Sequence, residues 1–267
     1  MRYRHLSLVP ALLAVAPALW AQVLPTPAVL QASLGAPPQP VTVIEPHLSV
    51  GGKQVRLSYL GYPIAQVLNA HLGPDWQKTP GKEIEFRALD GYVSRIPVER
   101  FGTRQRAYLV LGRQDGSEFV VDNLEQNQKR VPLGPYYLVW DNIAAPELQA
   151  EGASGWPYQV AQIALRTSSK TALLPPGLAP GFELQAGLAQ KFCLNCHQVN
   201  GFGGDKMPIN LAARAKQIDA TTWQRWLLNP SAVRPGTTMP PLPEGLADRE
   251  AVARQLHDYL KALPVSE

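Results

Sequence analysis

The sequence predicts a multidomain chain in which a strand-rich α+β unit is followed by an all-α unit. Three observations carry this expectation. Apolar residues recur with a period of two through the middle of the chain, helical spacing takes over after about residue 181, and a cluster of proline, glycine and serine separates the two stretches. At 267 residues the chain also exceeds the usual size of one compact domain.

Residues 1–21 read as a secretory signal peptide. Arg2 and Arg4 supply the basic start, residues 6–19 are mostly apolar, and Ala21 offers a cleavage point. The apolar stretch falls short of the roughly 20 residues that span a bilayer comfortably, so the expectation is export to the periplasm with the leader removed, and membrane association only if it is retained. Two of the basic residues behind the formal charge of +4 lie in this leader. No basic run or basic aromatic face follows, so no nucleic-acid partner is expected.

Residues 22–46 contain Pro25, Pro27, Pro37, Pro38, Pro40 and Pro46 and read as an extended tether, because proline interrupts helices and central strands. The strand-rich unit is expected over residues 47–165. Val55, Leu57 and Tyr59 alternate with Arg56 and Ser58 as in a half-buried strand, and Pro63 then opens a helix carrying Ile64, Val67, Leu68 and Leu72 on one face. Ile84, Phe86 and Ala88 alternate with Glu83, Glu85 and Arg87, while residues 108–111 and 119–121 flank a turn at Asp115-Gly116. Further strands are expected at 136–140 and 158–165. Residues 166–181 read as a linker. Residues 182–267 show helical patterns at 182–192, 221–228 and 246–263.

The chain has two cysteines, in Cys193-Leu194-Asn195-Cys196-His197. Two thiols separated by two residues, with a histidine directly after the second, is the spacing used for thioether attachment of haem and for proximal ligation of its iron. A redox dithiol would want a preceding strand, and a zinc site would need a fourth ligand; the sequence offers neither context. The expected cofactor is therefore one covalent haem c with His197 as an iron ligand. For the second axial position Met239, in the loop Pro235-Gly236-Thr237-Thr238-Met239-Pro240, presents a thioether. Met207 comes too soon after His197, His257 is expected to face solvent from its helix, and His47 and His71 belong to the first unit.

From about residue 180 to 264 the chain resembles a class I cytochrome c. The resemblance implies that Gly187 lets the first helix pack closely on the last, with Tyr259 as the aromatic partner there. It implies that the carbonyl of Pro208 holds the ring of His197, and that Trp223 and Arg234 lie along the haem on the way to the methionine loop. Residues 41–165, through Ala88-Leu89-Asp90-Gly91-Tyr92, Ile96-Pro97, Gly134-Pro135-Tyr136-Tyr137-Leu138-Val139 and Trp156-Pro157, are similar to a compact sulfite-oxidase-type molybdopterin-binding domain. Catalytic members of that superfamily bind molybdenum through a cysteine thiolate. Both cysteines here are claimed by haem, so no molybdenum cofactor is expected. Arg87, Arg95, Arg100, Arg104 and Arg106 could hold an anion, though the interspersed Glu83, Glu85 and Glu99 favour solvated strand faces.

The function expected from the sequence is single-electron transfer to or from a periplasmic or membrane-bound redox protein, with the first unit as a non-catalytic docking or ligand-binding module. The alternative is an oxidoreductase, working through haem or a cysteine-less molybdopterin site, with the cytochrome segment as its electron outlet.

Overall fold

The computed structural model describes residues 22–102 and 106–265. The leader expected at 1–21 and Arg104 lie outside them. The described chain runs β1 (Gln22–Val23), α1 (Pro27–Leu34), β2 (Gln39–Ile44), β3 (Arg56–Pro63), α2 (Ile64–Leu72), β4 (Lys82–Ala88), β5 (Val93–Pro97), β6 (Ala107–Arg113), β7 (Val120–Asn123), β8 (Gln128–Pro132), β9 (Tyr137–Trp140) and β10 (Val160–Thr167). It continues through α3 (Lys170–Leu173), α4 (Glu183–Phe192), β11 (Gln198–Val199), β12 (Phe202–Gly203), α5 (Leu211–Gln217), α6 (Ala220–Leu228), α7 (Pro230–Val233) and α8 (Arg249–Ala262).

Two antiparallel sheets, ordered β1-β10-β4-β5 and β2-β3-β6-β9, share one apolar core with α2. Phe86, Leu109, Tyr137, Ile163 and Leu68 are each fully buried in it. The alternation expected in β4 is only half a solvent pattern, because Glu83 and Glu85 are buried too. Arg95 and Arg166 reach the Glu85 carboxylate, and the Gln190 amide of α4 donates to Glu83 at 2.9 Å. A strand covered on both faces keeps buried charge only where it is paired, which is what the arginines do.

Two expectations about organisation are corrected. The proline-rich stretch 22–46 is not a free tether: Pro27 sits at the first turn of α1, where a missing N–H costs nothing, and Pro40 lies in β2, an edge strand that has an outer side without a partner. Residues 108–111 and 119–121 do flank a turn at Asp115-Gly116, where Gly116 N–H donates to Arg113 O, but the strands on either side join different sheets, since β6 pairs with β3 and β9 whereas β7 pairs with β8. The expected linker 166–181 starts inside β10, includes α3, and buries Leu173 in a second apolar cluster.

The fold class is corrected as well. The chain is a mixed α/β protein, and a separate all-α C-terminal domain is not formed. Residues 182–267 supply a helical region in which α4, α5, α6 and α8 gather around Leu256, Tyr259 and Leu260. Within it β11 and β12 form an antiparallel ribbon, and Gln198 makes a further parallel bridge with Asn210. Local helix patterning could not register this ribbon, because it comes from glycines that let the chain fold back. A Cβ on Gly204 would fall on the Asn195 carbonyl, so only glycine admits that approach.

The helical region is fastened to the β4–β5 turn by backbone. Val93 N–H donates to Asn195 O at 2.8 Å and Asp205 N–H to Gly91 O at 2.8 Å. Ion pairs Arg87–Asp205 at 2.6 Å and Lys206–Asp90 at 2.8 Å flank these bonds, and the Arg95 guanidinium lies 4.1 Å from the centre of the Phe202 ring. Of the arginines of the first unit, Arg87 and Arg95 thus make contacts across this join, while Arg100 pairs with Glu151 inside the strand-rich unit. Gly91 has φ of 85°, and a Cβ there would stand 2.9 Å from Lys206 N. Gly91→Ala is expected to cost about 1–3 kcal/mol through strain and overpacking at the join while leaving both apolar clusters intact. Calorimetry should show one cooperative transition resolving into two, and limited proteolysis should cut between the regions.

Candidate functional site

The turn that carries the cysteines begins where α4 ends. Cys193 N–H still bonds to Ala189 O at 2.9 Å, and His197 N–H closes a further turn onto Cys193 O at 3.0 Å. That winding, backed by Gly203 and Gly204, presents both thiols and the imidazole to one cavity of about 390 Å³. The volume falls in the range typical of cofactor and ligand sites. Of the residues singled out from the sequence, Cys193, Cys196, His197, Trp223, Arg234 and Met239 all line it.

Cys193 and Cys196 are free thiols. Burial pushes Cys193 up to about 12, helped by the nearby Cys196, and burial likewise pushes Cys196 up to about 11, with the Lys206 ammonium pulling the other way. Reactive dithiols work through depressed thiol pKa values, so this pair does not have the electrostatics of a thiol–disulfide exchanger. Among the described residues no three His, Cys, Asp or Glu side chains are gathered into a metal-holding group.

His197 is half-buried, and its Nδ1 lies 2.8 Å from the carbonyl of Met207. Nδ1 therefore carries the proton and donates, which turns Nε2 into the lone-pair nitrogen, the arrangement found in metal-bound histidines. Burial holds this imidazole below its ordinary pKa and so favours the neutral, ligating form. The resemblance assigned the orienting carbonyl to Pro208. The structure assigns it to Met207, one residue earlier, while Pro208 is exposed and does not line the cavity. The reason is local: Met207 N–H donates to Cys196 O at 2.8 Å, and this closes the loop one residue sooner.

Met239 is half-buried against the second apolar cluster, and its N–H donates to the Thr237 hydroxyl at 3.2 Å. The strand-rich unit steadies this loop, since the Asn127 amide donates to Thr237 O at 2.8 Å. Met207 also borders the cavity but is 47% exposed. Trp223 is buried beside the cavity, and among the described residues its indole Nε1 has no hydrogen-bond partner. An orphaned donor of that kind fits an occupant with acceptor groups, and the thiols, the ring nitrogen of His197 and the thioether of Met239 around the same space form the donor set that a covalent haem needs.

Two further expectations are corrected. Gly187 is exposed and a Cβ there would meet nothing within 4 Å; α4 packs on α8 through Ala186 and Ala189, whereas Tyr259 stands against Phe182 and donates its hydroxyl to Leu173 O at 2.7 Å. His257 does not face solvent. It is 3% exposed, and its Nε2 bonds to Ala215 O and Ile218 O, both at 3.0 Å, satisfying carbonyls that the end of α5 leaves open.

The cavity wall contributed by the strand-rich unit was invisible in the sequence. His47, Tyr92, Asn123, Glu125 and Tyr158 line it together with the cysteine turn. His47 is backed by Glu45, which is fully buried: Nδ1 lies 2.7 Å from Glu45 Oε1, the Tyr59 hydroxyl donates to Oε2 at 2.6 Å, and the Tyr137 hydroxyl donates to Oε1 at 3.0 Å. Burial alone would raise the Glu45 carboxyl, but the hydrogen bond and charge of His47, with the Tyr59 hydroxyl, outweigh it and hold the pKa below its ordinary value. A carboxyl depressed on folding contributes stability that is complete above its ordinary range and is lost as pH falls through the lowered value. Denaturant unfolding followed against pH should show that acid-side loss in the wild type. Glu45→Gln should flatten it, and should cost about 3–5 kcal/mol near neutrality by breaking a buried pair. Compared with known families and with curated proteins, the chain matches no family model and no curated protein.

Proposed function

We propose that this chain is an exported mono-haem c-type cytochrome that passes single electrons to or from a periplasmic redox partner. The observation that carries this reading is the convergence of Cys193, Cys196, His197 and Met239 on one cavity, with the His197 ring already oriented by a carbonyl on its Nδ1. Cys193 and Cys196 would hold the macrocycle by thioether bonds, and His197 and Met239 would be the residues that hold its iron. When bound, the haem supplies a metal centre that cycles between ferrous and ferric states, its potential raised by a soft thioether ligand.

The protein's own contribution is rigidity and exclusion of water. Trp223 offers an indole N–H to the occupant, and Arg234, exposed at the rim, offers positive charge to its acidic edge. Two walls built from different parts of the chain and joined by backbone hydrogen bonds limit how far the ligands can shift when the charge changes, which keeps reorganisation small. The strand-rich unit is in this reading a non-catalytic module that completes the cavity and offers a docking surface. It has no cysteine for molybdenum, since both in the chain are committed to haem. Export rests on the basic and apolar character of residues 1–21; among the described residues no helix is long and apolar enough to cross a membrane.

Expression with a working maturation system should give polypeptide that keeps its porphyrin absorbance after denaturation and acid-acetone extraction. Cys193→Ala combined with Cys196→Ala should abolish that retained absorbance; colourless wild-type polypeptide would overturn the reading. Metal analysis should give one iron per chain without stoichiometric molybdenum. Met239→Ala should open the ferrous iron to carbon monoxide and remove the sulfur-to-iron charge-transfer band of the ferric protein, whereas rapid carbon monoxide binding by the wild type would contradict Met239 as a ligand.

A further inference from the structure

Residues 235–241 carry the thioether of Met239, and few hydrogen bonds hold them. The segment starts after Arg234, whose N–H donates to Pro230 O at 2.8 Å, and ends before Leu242, whose N–H donates to Leu227 O at 2.8 Å. Between those two bonds it forms neither helix nor strand, and Pro235, Pro240 and Pro241 have no N–H to offer. Its own bonds are local: Thr237 N–H to Arg234 O and Met239 N–H to the Thr237 hydroxyl, both at 3.2 Å. Among the described residues one further hydrogen bond reaches the segment, from the Asn127 amide to Thr237 O at 2.8 Å.

Asn127 is itself fixed from the side of the sheets. It follows a turn of 3-10 helix at Leu124–Gln126, in which Leu124 N–H donates to His47 O at 3.1 Å and the buried Asn123 side chain accepts from Gln126 N–H at 3.3 Å. Asn127 has φ of 54°, and its N–H closes onto Leu124 O at 3.3 Å. Glycine, asparagine and aspartate all enter this left-handed region readily, so the backbone alone does not call for an amide. The side chain spans the gap instead: besides Thr237 O it reaches the Ser231 hydroxyl of α7 at 3.3 Å, across 104 residues of chain. The preceding residue, Gln126, lines the cavity together with Thr237, Thr238 and Met239.

We propose that Asn127 is a positioning residue for Met239, through which the strand-rich unit sets how readily the thioether leaves the cavity. The inference rests on the haem reading of that cavity, in which Met239 is one of the two residues that hold the iron. Asn127 acts through Thr237, whose carbonyl it holds and whose hydroxyl receives Met239 N–H. Loss of one neutral hydrogen bond should raise the open fraction of the loop about twofold to tenfold. A competing ligand that needs the open loop gains apparent affinity by the same factor, because its affinity scales with the fraction of competent molecules.

The test uses haem-loaded full chain in wild-type, Asn127→Gly and Asn127→Asp forms. Glycine keeps the left-handed backbone and removes the amide. Aspartate keeps the shape and turns the donor into an acceptor that faces Thr237 O. Added imidazole enters the ferric iron's coordination only where Met239 has left, so a titration followed by loss of the sulfur-to-iron charge-transfer band reads the open fraction. Both variants should bind imidazole about twofold to tenfold more tightly than the wild type while keeping the band before imidazole is added. Wild-type affinity in the glycine variant would mean that Asn127 serves only its own backbone, and wild-type affinity in the aspartate variant would mean that donation to Thr237 O does not hold the loop. Either result overturns the proposal, as does a lowered denaturation midpoint with imidazole affinity unchanged.

Deuterium exchange at residues 237–239 separates this inference from the reading it rests on, because it needs no haem. Both variants should exchange there about twofold to tenfold faster, with the Val93 and Asp205 amides unaffected. Chain that matures without covalent haem would overturn the electron-transfer reading alone. In that chain, faster exchange at 237–239 in both variants would keep Asn127 as the residue that orders Met239, and unchanged exchange would overturn it.

Discussion

The constraint on which the rest of the structure depends is the pair of backbone hydrogen bonds between the β4–β5 turn and the cysteine turn, Val93 to Asn195 and Asp205 to Gly91. Side-chain ion pairs at a surface contribute little and are screened by salt. Backbone bonds in a glycine-shaped contact fix register as well as distance. They hold the segment bearing both thiols and His197 against the strand-rich unit, so the cavity has one wall from each part of the chain. Without this join the two apolar clusters could still form, but the cysteine turn would lose its backbone register against the sheets. Asn127 repeats the device at the far end by holding Thr237 O, so the methionine loop and the cysteine turn are both referred to the same set of sheets.

Much of the secondary structure was legible because it follows from period and punctuation. The strand at residues 56–63, the helix after Pro63 and the helices ending at Phe192 and Ala262 all follow the spacing of their apolar residues. The chemistry of the cysteine turn was legible for the same reason, since covalent spacing along the chain is conserved in space over five residues. Failures occurred where a residue's meaning depends on a partner far away in sequence. Pro40 reads as a strand breaker until β2 is known to be an edge. Glu83 and Glu85 read as a solvated face until Gln190 and the arginines close over them. His257 reads as a surface residue beside Asp258 until the open carbonyls at the end of α5 come within its reach.

The candidate site divides along the same line. Six of its residues were named from the sequence because motif and resemblance are both one-dimensional. The orienting carbonyl lies one residue before Pro208, because a loop carrying Gly201, Gly203 and Gly204 can close on either of two consecutive carbonyls and the hydrogen bond from Met207 N–H to Cys196 O selects the earlier one. His47 could not have been named at all. Glu45-Pro46-His47 gives no pattern until β3 and β9 deliver Tyr59 and Tyr137 to the same carboxylate, across 14 and 92 residues of chain.

That network bears on why a strand-rich unit should be joined so closely to a segment that carries the whole thiol and imidazole set. A cavity walled only by helices could exclude water, but it would have no deeply buried fixed charge with which to tune an occupant. Glu45 lies in low-dielectric surroundings where a charge acts over distance with little screening. Left alone it would oppose its own burial. Paired with His47 it is anchored in place, and the outer edge of that ring lines the cavity. The tyrosines keep the pair from relaxing, because Tyr59 and Tyr137 donate to opposite oxygens of the same carboxylate and each is packed in the core of the sheets. Rigid scaffolding by the sheets and chemistry from the turn are thus two halves of one site, and the sheets contribute charge as well as shape.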